Sequence, residues 1–506
     1  MTASEWRRRV LGLAFCAVLA LPAVAALADD DSSRPPERAP SATVELPAHV
    51  ETKHSIQLGQ RSLDYRAVAE TIALDNDKGD KTASIFTISY LVDPKPGQMR
   101  PVAFLFNGGP GAAAVFLQLG AVGPRIMEPV ASGAVPNPPP HIVDNQSTWL
   151  DFTDLVFVDP VGTGFSRGAG KEDNPNKPFW NVKGDIHSLD SVVRLWLTKH
   201  ERWSSPVYLV GESYGGFRVG VMAKSLERDE GITPTGIVMI SPALDWSMLN
   251  PDVGALIAGA VDLPSYAGAA AFFAGKAPFD PAPVEQFALG DYLTGLAALK
   301  GVPPPGDPFI AKVAAMIGLP EDIVRRERGW VGRDIFSREL RRKEDQVLSL
   351  YDATITRASP ANPEDKTAGD PVLDNSIAAY TAAFNAYAPA ELGYRTELQY
   401  RVLPHIYQQW NFDGAREGHD GLGMCLSGLQ TALLDHPATK VLVANGRYDL
   451  VTPYFASRWL IDQLAVPDAV RAAIRVKVYD GGHMMYMRPA SRAALAADVA
   501  ALFAAK

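Results

Sequence analysis

The sequence predicts an α/β fold: a doubly wound, mostly parallel sheet with a large, mainly helical insertion that acts as a lid. Three observations predict it. Short, wholly apolar runs occur at 102–106, 155–158 and 207–210; the runs at 236–240 and, opening on Lys440, at 440–444 look the same, and 474–479 is a further strand candidate. Runs of this length and continuity fit strands covered on both faces, as in a parallel sheet. Helical periodicity at 182–200, between two of these runs, and a helix-like tail at 490–505 supply covering layers. Between Ser241 and Lys440 lie 198 residues, far more than one crossover needs.

The chain divides in order. Arg7, Arg8 and Arg9 precede 19 uncharged residues, 10–28, broken by Pro22 and ending Ala26-Leu27-Ala28 before three aspartates. A basic start, an apolar middle and a small-x-small site read as a cleavable export signal over 1–28. The mature chain is then expected to be periplasmic or secreted, with an uncleaved membrane anchor as the rival reading. Residues 29–48, rich in Asp, Ser, Pro and Arg, are expected to form a flexible leader. The sheet-forming core occupies 49–241 and 440–506, with a β-like run at 84–92 near its start. The insertion spans 242–439, with Pro-rich breaks and an apolar helix-like stretch at 254–275. Its expected place is over the strand C-terminal ends, where ligands bind in such sheets.

Composition narrows the functions. Forty-eight basic against 57 acidic residues give a net charge of −9, wrong for a nucleic-acid binder, which needs a basic face. Hydrophobic residues at 47% and charged ones at 21% are those of an ordinary globular protein. The two cysteines, Cys16 and Cys425, leave one thiol after signal removal, so no internal disulfide forms. No CxxC, HExxH or Cys/His cluster is present, and no metal or other cofactor is expected.

Gly211-Glu212-Ser213-Tyr214-Gly215 stands directly after the apolar run 207–210. A G-x-S-x-G in that context forms a sharp strand-to-helix turn that exposes the serine. Taken alone it is a tight turn, and a serine at its own pKa is a poor nucleophile, so a base and an orienter must follow. The α/β-hydrolase order is serine, acid, histidine. Asp449 follows the run 440–444 and His483 follows 474–479, both at strand C-terminal ends and in that order. An oxyanion hole is expected from the N–H of Tyr214, the residue after the nucleophile, and from Gly109 in the glycine-rich turn after 102–106. That turn lacks the lysine of a phosphate-binding P-loop.

With these residues in view the sequence resembles the serine carboxypeptidase family. The likeness rests on Asn107-Gly108-Gly109-Pro110-Gly111, Asp159-Pro160-Val161-Gly162-Thr163-Gly164-Phe165-Ser166, Gly211-Glu212-Ser213-Tyr214-Gly215-Gly216, Asn445-Gly446-Arg447-Tyr448-Asp449 and Gly482-His483-Met484. The resemblance implies the α/β-hydrolase fold, the triad Ser213, Asp449 and His483, and a grip on a peptide's terminal carboxylate by Asn107 and Glu212. Two carboxylates repel unless Glu212 is protonated and donates a hydrogen bond, in keeping with the family's preference for acid. The chain departs from the family in three ways. Ala112-Ala113-Ala114 stands where Cys-Ser-Ser is usual, Ala121 replaces a glutamate of the carboxylate-binding network, and the family's disulfides cannot form.

The expected function is therefore an exported hydrolase that removes C-terminal residues from peptides through an acyl-enzyme. Its partner is a peptide substrate, with no nucleic acid and no stable membrane partner after signal removal. The same residues would also serve an esterase, an acyltransferase or a prolyl-aminopeptidase-like hydrolase. A non-catalytic binding protein of the same fold is the remaining alternative, separable by an active-site serine probe.

Overall fold

The computed structural model describes residues 46–94, 97, 99–249, 254–276, 278–360, 369–415, 418 and 423–504. The expected export signal at 1–28 and the leader up to residue 45 lie outside the described residues.

Among the described residues, nine strands run across the main sheet: β1 (His49–Leu58), β2 (Arg61–Asp75), β3 (Lys81–Leu91), β4 (Val102–Phe106), β5 (Asp154–Val158), β6 (Val207–Glu212), β7 (Gly236–Ile240), β8 (Lys440–Gly446) and β9 (Ile474–Tyr479). A tenth, Arg167–Gly168, pairs with β3. Their spatial order is β1-β2-β3-β5-β4-β6-β7-β8-β9. The pairs among β1, β2, β3 and β5 are antiparallel, and every pair from β5 to β9 is parallel. From β4 the chain goes to β5 on one side and then to β6 on the other. The order reverses there, and a crevice opens beyond the C-terminal ends of β4 and β6.

Apolar residues on successive positions of each central strand are needed because both faces are covered. Phe104, Leu209, Ile237 and Val441 enter one core with the helices α1 (Val182–Lys199) and α2 (Tyr214–Glu230). Leu105, Val210, Val238 and Leu442 enter the other with α4 (Leu373–Ala390) and α6 (Pro489–Ala504), while α3 (Leu256–Phe273) and α5 (Met424–Asp435) join the first. This is the α/β-hydrolase fold that the sequence predicts. The antiparallel β1 and β2 were not singled out by their sequence. β1 reads His-Val-Glu-Thr-Lys-His-Ser-Ile-Gln-Leu and buries Ile56 alone, so an edge strand leaves little apolar signal.

Just over half of the described residues between β7 and β8 are helical, with a two-stranded ribbon of Gln346–Leu348 and Thr356–Ala358. Within it α3 is long and apolar enough to cross a membrane by length and composition, and 67% of it is buried. Asp262 in its middle is ion-paired with Arg333 at 2.8 Å. α5 packs on α2, where a Cβ at Gly220 would run into the Cys425 thiol.

Candidate active site

β6 delivers Ser213 into the crevice. The serine holds φ 58° and ψ −121°, a conformation sparsely populated by L-residues and sustained only where its surroundings impose it. Its N–H donates to Ile240 O at 2.9 Å, and its carbonyl accepts from Gly216 and Ala243. Side chains are excluded on either side. A Cβ on Gly211 would overlap Gly215 O, and one on Gly215 would overlap Phe106 O, so β4, β6 and α2 meet backbone to backbone.

β8 and β9 bring the acid and the base. His483 Nδ1 lies 2.8 Å from Asp449 Oδ2, with both residues buried. Asp449 Oδ1 accepts the N–H groups of Val451 at 2.7 Å and Thr452 at 2.9 Å, which fixes the carboxylate. The Thr452 hydroxyl, 2.7 Å from Asp449 Oδ2 and 3.1 Å from His483 Nδ1, sits between the two partners. Ser241 Oγ donates to His483 O at 2.8 Å, the His483 N–H donates to Tyr351 O at 2.5 Å, and the Tyr351 ring stands edge-on to the imidazole. Burial pushes the imidazole pKa down, but the Asp449 charge and hydrogen bond, with Glu212 beyond, raise it overall. With Nδ1 engaged, Nε2 is the nitrogen left for a reacting serine. Ser213 and His483 line one cleft. His483 makes its side-chain bonds to Asp449 and Thr452 and none to Ser213; nucleophile–base bonds commonly close only in the Michaelis complex.

The glycine-rich turn after β4 lies beside the nucleophile. Gly109 and Gly111 have φ of 101° and 111°, values that favour glycine. The turn is pinned by Ala112 N–H to Gly108 O at 3.0 Å, Ala113 N–H to Val402 O at 2.9 Å and Ala114 N–H to Asp159 Oδ1 at 2.8 Å. The N–H groups of Gly109 and Tyr214 have no acceptor among the described residues, and both residues line the cleft. One residue absent from the sequence reading ties these parts together. Arg218 on α2, fully buried, donates to the carbonyl of Asn107, pairs with Asp185 Oδ2 at 2.7 Å and lies 4.7 Å over the Tyr214 ring. A charged residue inside an apolar helix face was its only signal.

Asn107 and Glu212 meet at the cleft floor. Asn107 Nδ2 donates to Glu212 Oε2, and Asn107 Oδ1 accepts from Leu117 N–H at 3.1 Å. Tyr486 O–H donates to Glu212 Oε1 at 2.8 Å. Burial pushes the Glu212 carboxyl up to about 7, against the opposing pull of His483 and of the two hydrogen bonds. Ala121, which stands in place of the glutamate usual in the family, is fully buried and offers no polar side chain.

The cleft holds about 570 Å³. Its floor is Asn107, Gly109, Glu212, Ser213 and His483, and its walls come largely from the segment between β7 and β8, through Trp246, Leu249, Tyr351, Ile377, Leu403 and Tyr407. Among the described residues no group of three or more His, Cys, Asp or Glu is placed to hold a metal.

Residues 81–234 match the family model described as serine carboxypeptidase. The chain resembles the serine carboxypeptidase family, as its motifs predict. The matched stretch carries the Asn107 turn and the Ser213 elbow and ends before Asp449 and His483. Serine carboxypeptidase-like 5 of Arabidopsis thaliana is 30% identical over 131 residues, covering 25% of this chain and 28% of that protein. The carboxypeptidase Y homolog of Arthroderma benhamiae is 29% identical over 162 residues, covering 31% and 29%. The similarity therefore spans less than a third of either relative's length. Among solved structures, a soluble variant of monoglyceride lipase from Saccharomyces cerevisiae aligns over 88% of this chain and 97% of its own, at 11% identity and a TM-score of 0.35.

Proposed function

We propose that the protein is an exported serine carboxypeptidase that removes C-terminal residues from peptides through an acyl-enzyme. The observation that carries this reading is the buried Asn107–Glu212 pair on the floor of the cleft that Ser213 and His483 line. An esterase has no use for a carboxyl group held next to its nucleophile and raised to about 7. A carboxypeptidase does: in acid the protonated group donates to the substrate's terminal carboxylate, and Asn107 adds an N–H.

In this mechanism Ser213 Oγ attacks the last peptide carbonyl while His483 Nε2 takes the serine proton. Asp449, held by Val451 and Thr452, fixes the imidazole tautomer and stabilises the imidazolium that forms. The Gly109 and Tyr214 N–H groups receive the oxyanion. His483 then protonates the departing amino acid, a water delivered through the same base hydrolyses the acyl-Ser213 ester, and Ser213 is restored. Residues 1–28 serve as the export signal, and N-terminal sequencing of the mature protein from its native host, starting near Asp29, would support that role.

The test is a pair of N-blocked peptides alike except for a C-terminal carboxylate or amide, followed by mass spectrometry from acid to neutral pH. Loss of the final residue from the free acid, with a preference over the amide that grows as pH falls and Glu212 takes up its proton, is expected. Equal cleavage of both, or of neither, would remove the carboxypeptidase reading.

A further inference from the structure

Glu212 sits between two fixed partners of different chemistry. Asn107 cannot turn its amide round without taking Oδ1 from the buried Leu117 N–H, so it can only donate to Oε2. Tyr486 is buried, and its ring packs beside Gly120, where an added Cβ would lie 3.3 Å from ring Cε2. Its hydroxyl at Oε1 is a rotor that can donate or accept. When Glu212 is a carboxylate, both oxygens are therefore filled by donors. When it takes up a proton, that single proton goes either to the Tyr486 oxygen, whose hydroxyl can turn to accept it, or to the substrate's carboxylate. The other groups facing Glu212 are His483 and Asp449 of the triad and the phenols of Tyr351 and Tyr380.

We propose that Tyr486 is a positioning residue for carboxylate capture, its hydroxyl holding Glu212 Oε1 and setting how readily Glu212 gives a hydrogen bond to the substrate's terminal carboxylate. This rests on the reading of Asn107 and Glu212 given above. Tyr486 supplies the second polar contact to Glu212 from a different element, the short turn after His483. A hydrogen bond to the charged form of a carboxyl is stronger than one to the neutral form. Removing the hydroxyl therefore favours the protonated state, and capture persists to higher pH.

The experiment measures kcat and KM against pH for an N-blocked peptide with a free C-terminus and for the matching N-blocked ester. The parent protein is compared with Tyr486→Phe, Glu212→Gln and Tyr380→Phe. Tyr380 is a control because its hydroxyl donates to Met487 Sδ at 3.3 Å in the same cluster. The parent's alkaline fall in kcat/KM for the free acid, carried by KM, is expected to move up by about 1 pH unit in Tyr486→Phe. It stays in place in Tyr380→Phe and disappears in Glu212→Gln, whose amide donates at every pH. The ester's pH profile does not shift in Tyr486→Phe. If Glu212→Gln keeps the parent's fall, carboxylate capture by Glu212 is wrong and the Tyr486 role goes with it. If Glu212→Gln abolishes the fall while Tyr486→Phe leaves it unmoved, or Tyr380→Phe moves it equally, the Tyr486 role alone is overturned.

Discussion

The floor and the walls of the cleft are built by different rules. The floor is the ends of β4, β6, β8 and β9, where glycines let backbones touch and each functional group is fixed by a turn a few residues long. The walls come mainly from the segment between β7 and β8, where Trp246 and Leu249 of one short helix, Tyr351, Ile377 of α4 and Tyr407 converge. A floor position tolerates almost no change because strand geometry dictates it. A wall position is set by tertiary packing, so it can change while the chemistry stays.

The floor should fail hardest. Ser213→Ala or His483→Ala is expected to lower kcat on the order of 10⁴–10⁶-fold with folding intact, and near-normal turnover in either purified variant would contradict the triad. Gly108→Ala places a Cβ 2.6 Å from Tyr214 N and 2.7 Å from Glu212 O and Ser213 Cβ. The oxyanion turn must move, at a cost of about 10²–10³-fold in kcat; unchanged kinetics would show that the turn is not held as described. Thr452→Val keeps the shape but removes the hydroxyl between Asp449 and His483. A buried hydrogen bond lost at about 1–2 kcal/mol lowers kcat roughly five- to thirtyfold, with KM steady.

Stability offers a milder test. Burial raises the carboxyls of Asp159 and Glu212 to about 7 and that of Asp190 to about 8. The unfolded chain gives up these protons first, near its ordinary carboxylate range, so it binds fewer protons than the folded state between about pH 4 and 8. Stability is therefore fully present in acid and lost as pH rises through that window. Glu70 acts in the opposite sense at lower pH, since Lys199 and His200 outweigh its burial and hold it down to about 2. Asp190→Asn should flatten the fall in melting temperature between pH 5 and 8; an unchanged slope would rule out its share. Smallest of all, Tyr407→Ala on the exposed wall should change KM among peptides by a few-fold and leave kcat within about twofold. A collapse of kcat there would erase the distinction between wall and floor.

The same contrast explains what could be read in the sequence. Gly109, Ser213, Tyr214, Asp449 and His483 are legible because each follows the end of a strand, and Asn107 and Glu212 through the resemblance of their motifs to the family; the structure brings all seven to one end of the sheet. Thr452 had a local signal that went unread: an aspartate three residues before a threonine, in a turn whose amides bind the carboxylate. Tyr486 had none, since its partner Glu212 is 274 residues away. The wall residues are scattered over several elements, one or a few from each, so neither periodicity nor motif could show which would reach the cleft. Buried ions such as Arg218–Asp185 and Arg333–Asp262 escape the eye for the same reason: they become pairs only when distant helices pack.

The most direct measurement is labelling of the full-length protein with a fluorophosphonate, mapped by peptide mass spectrometry, alone and with each of the paired peptides as competitor. The account predicts a single label on Ser213, slowed by the free-acid peptide in acid and hardly at all by the amide. A label elsewhere, no label, or equal protection by both peptides would contradict it.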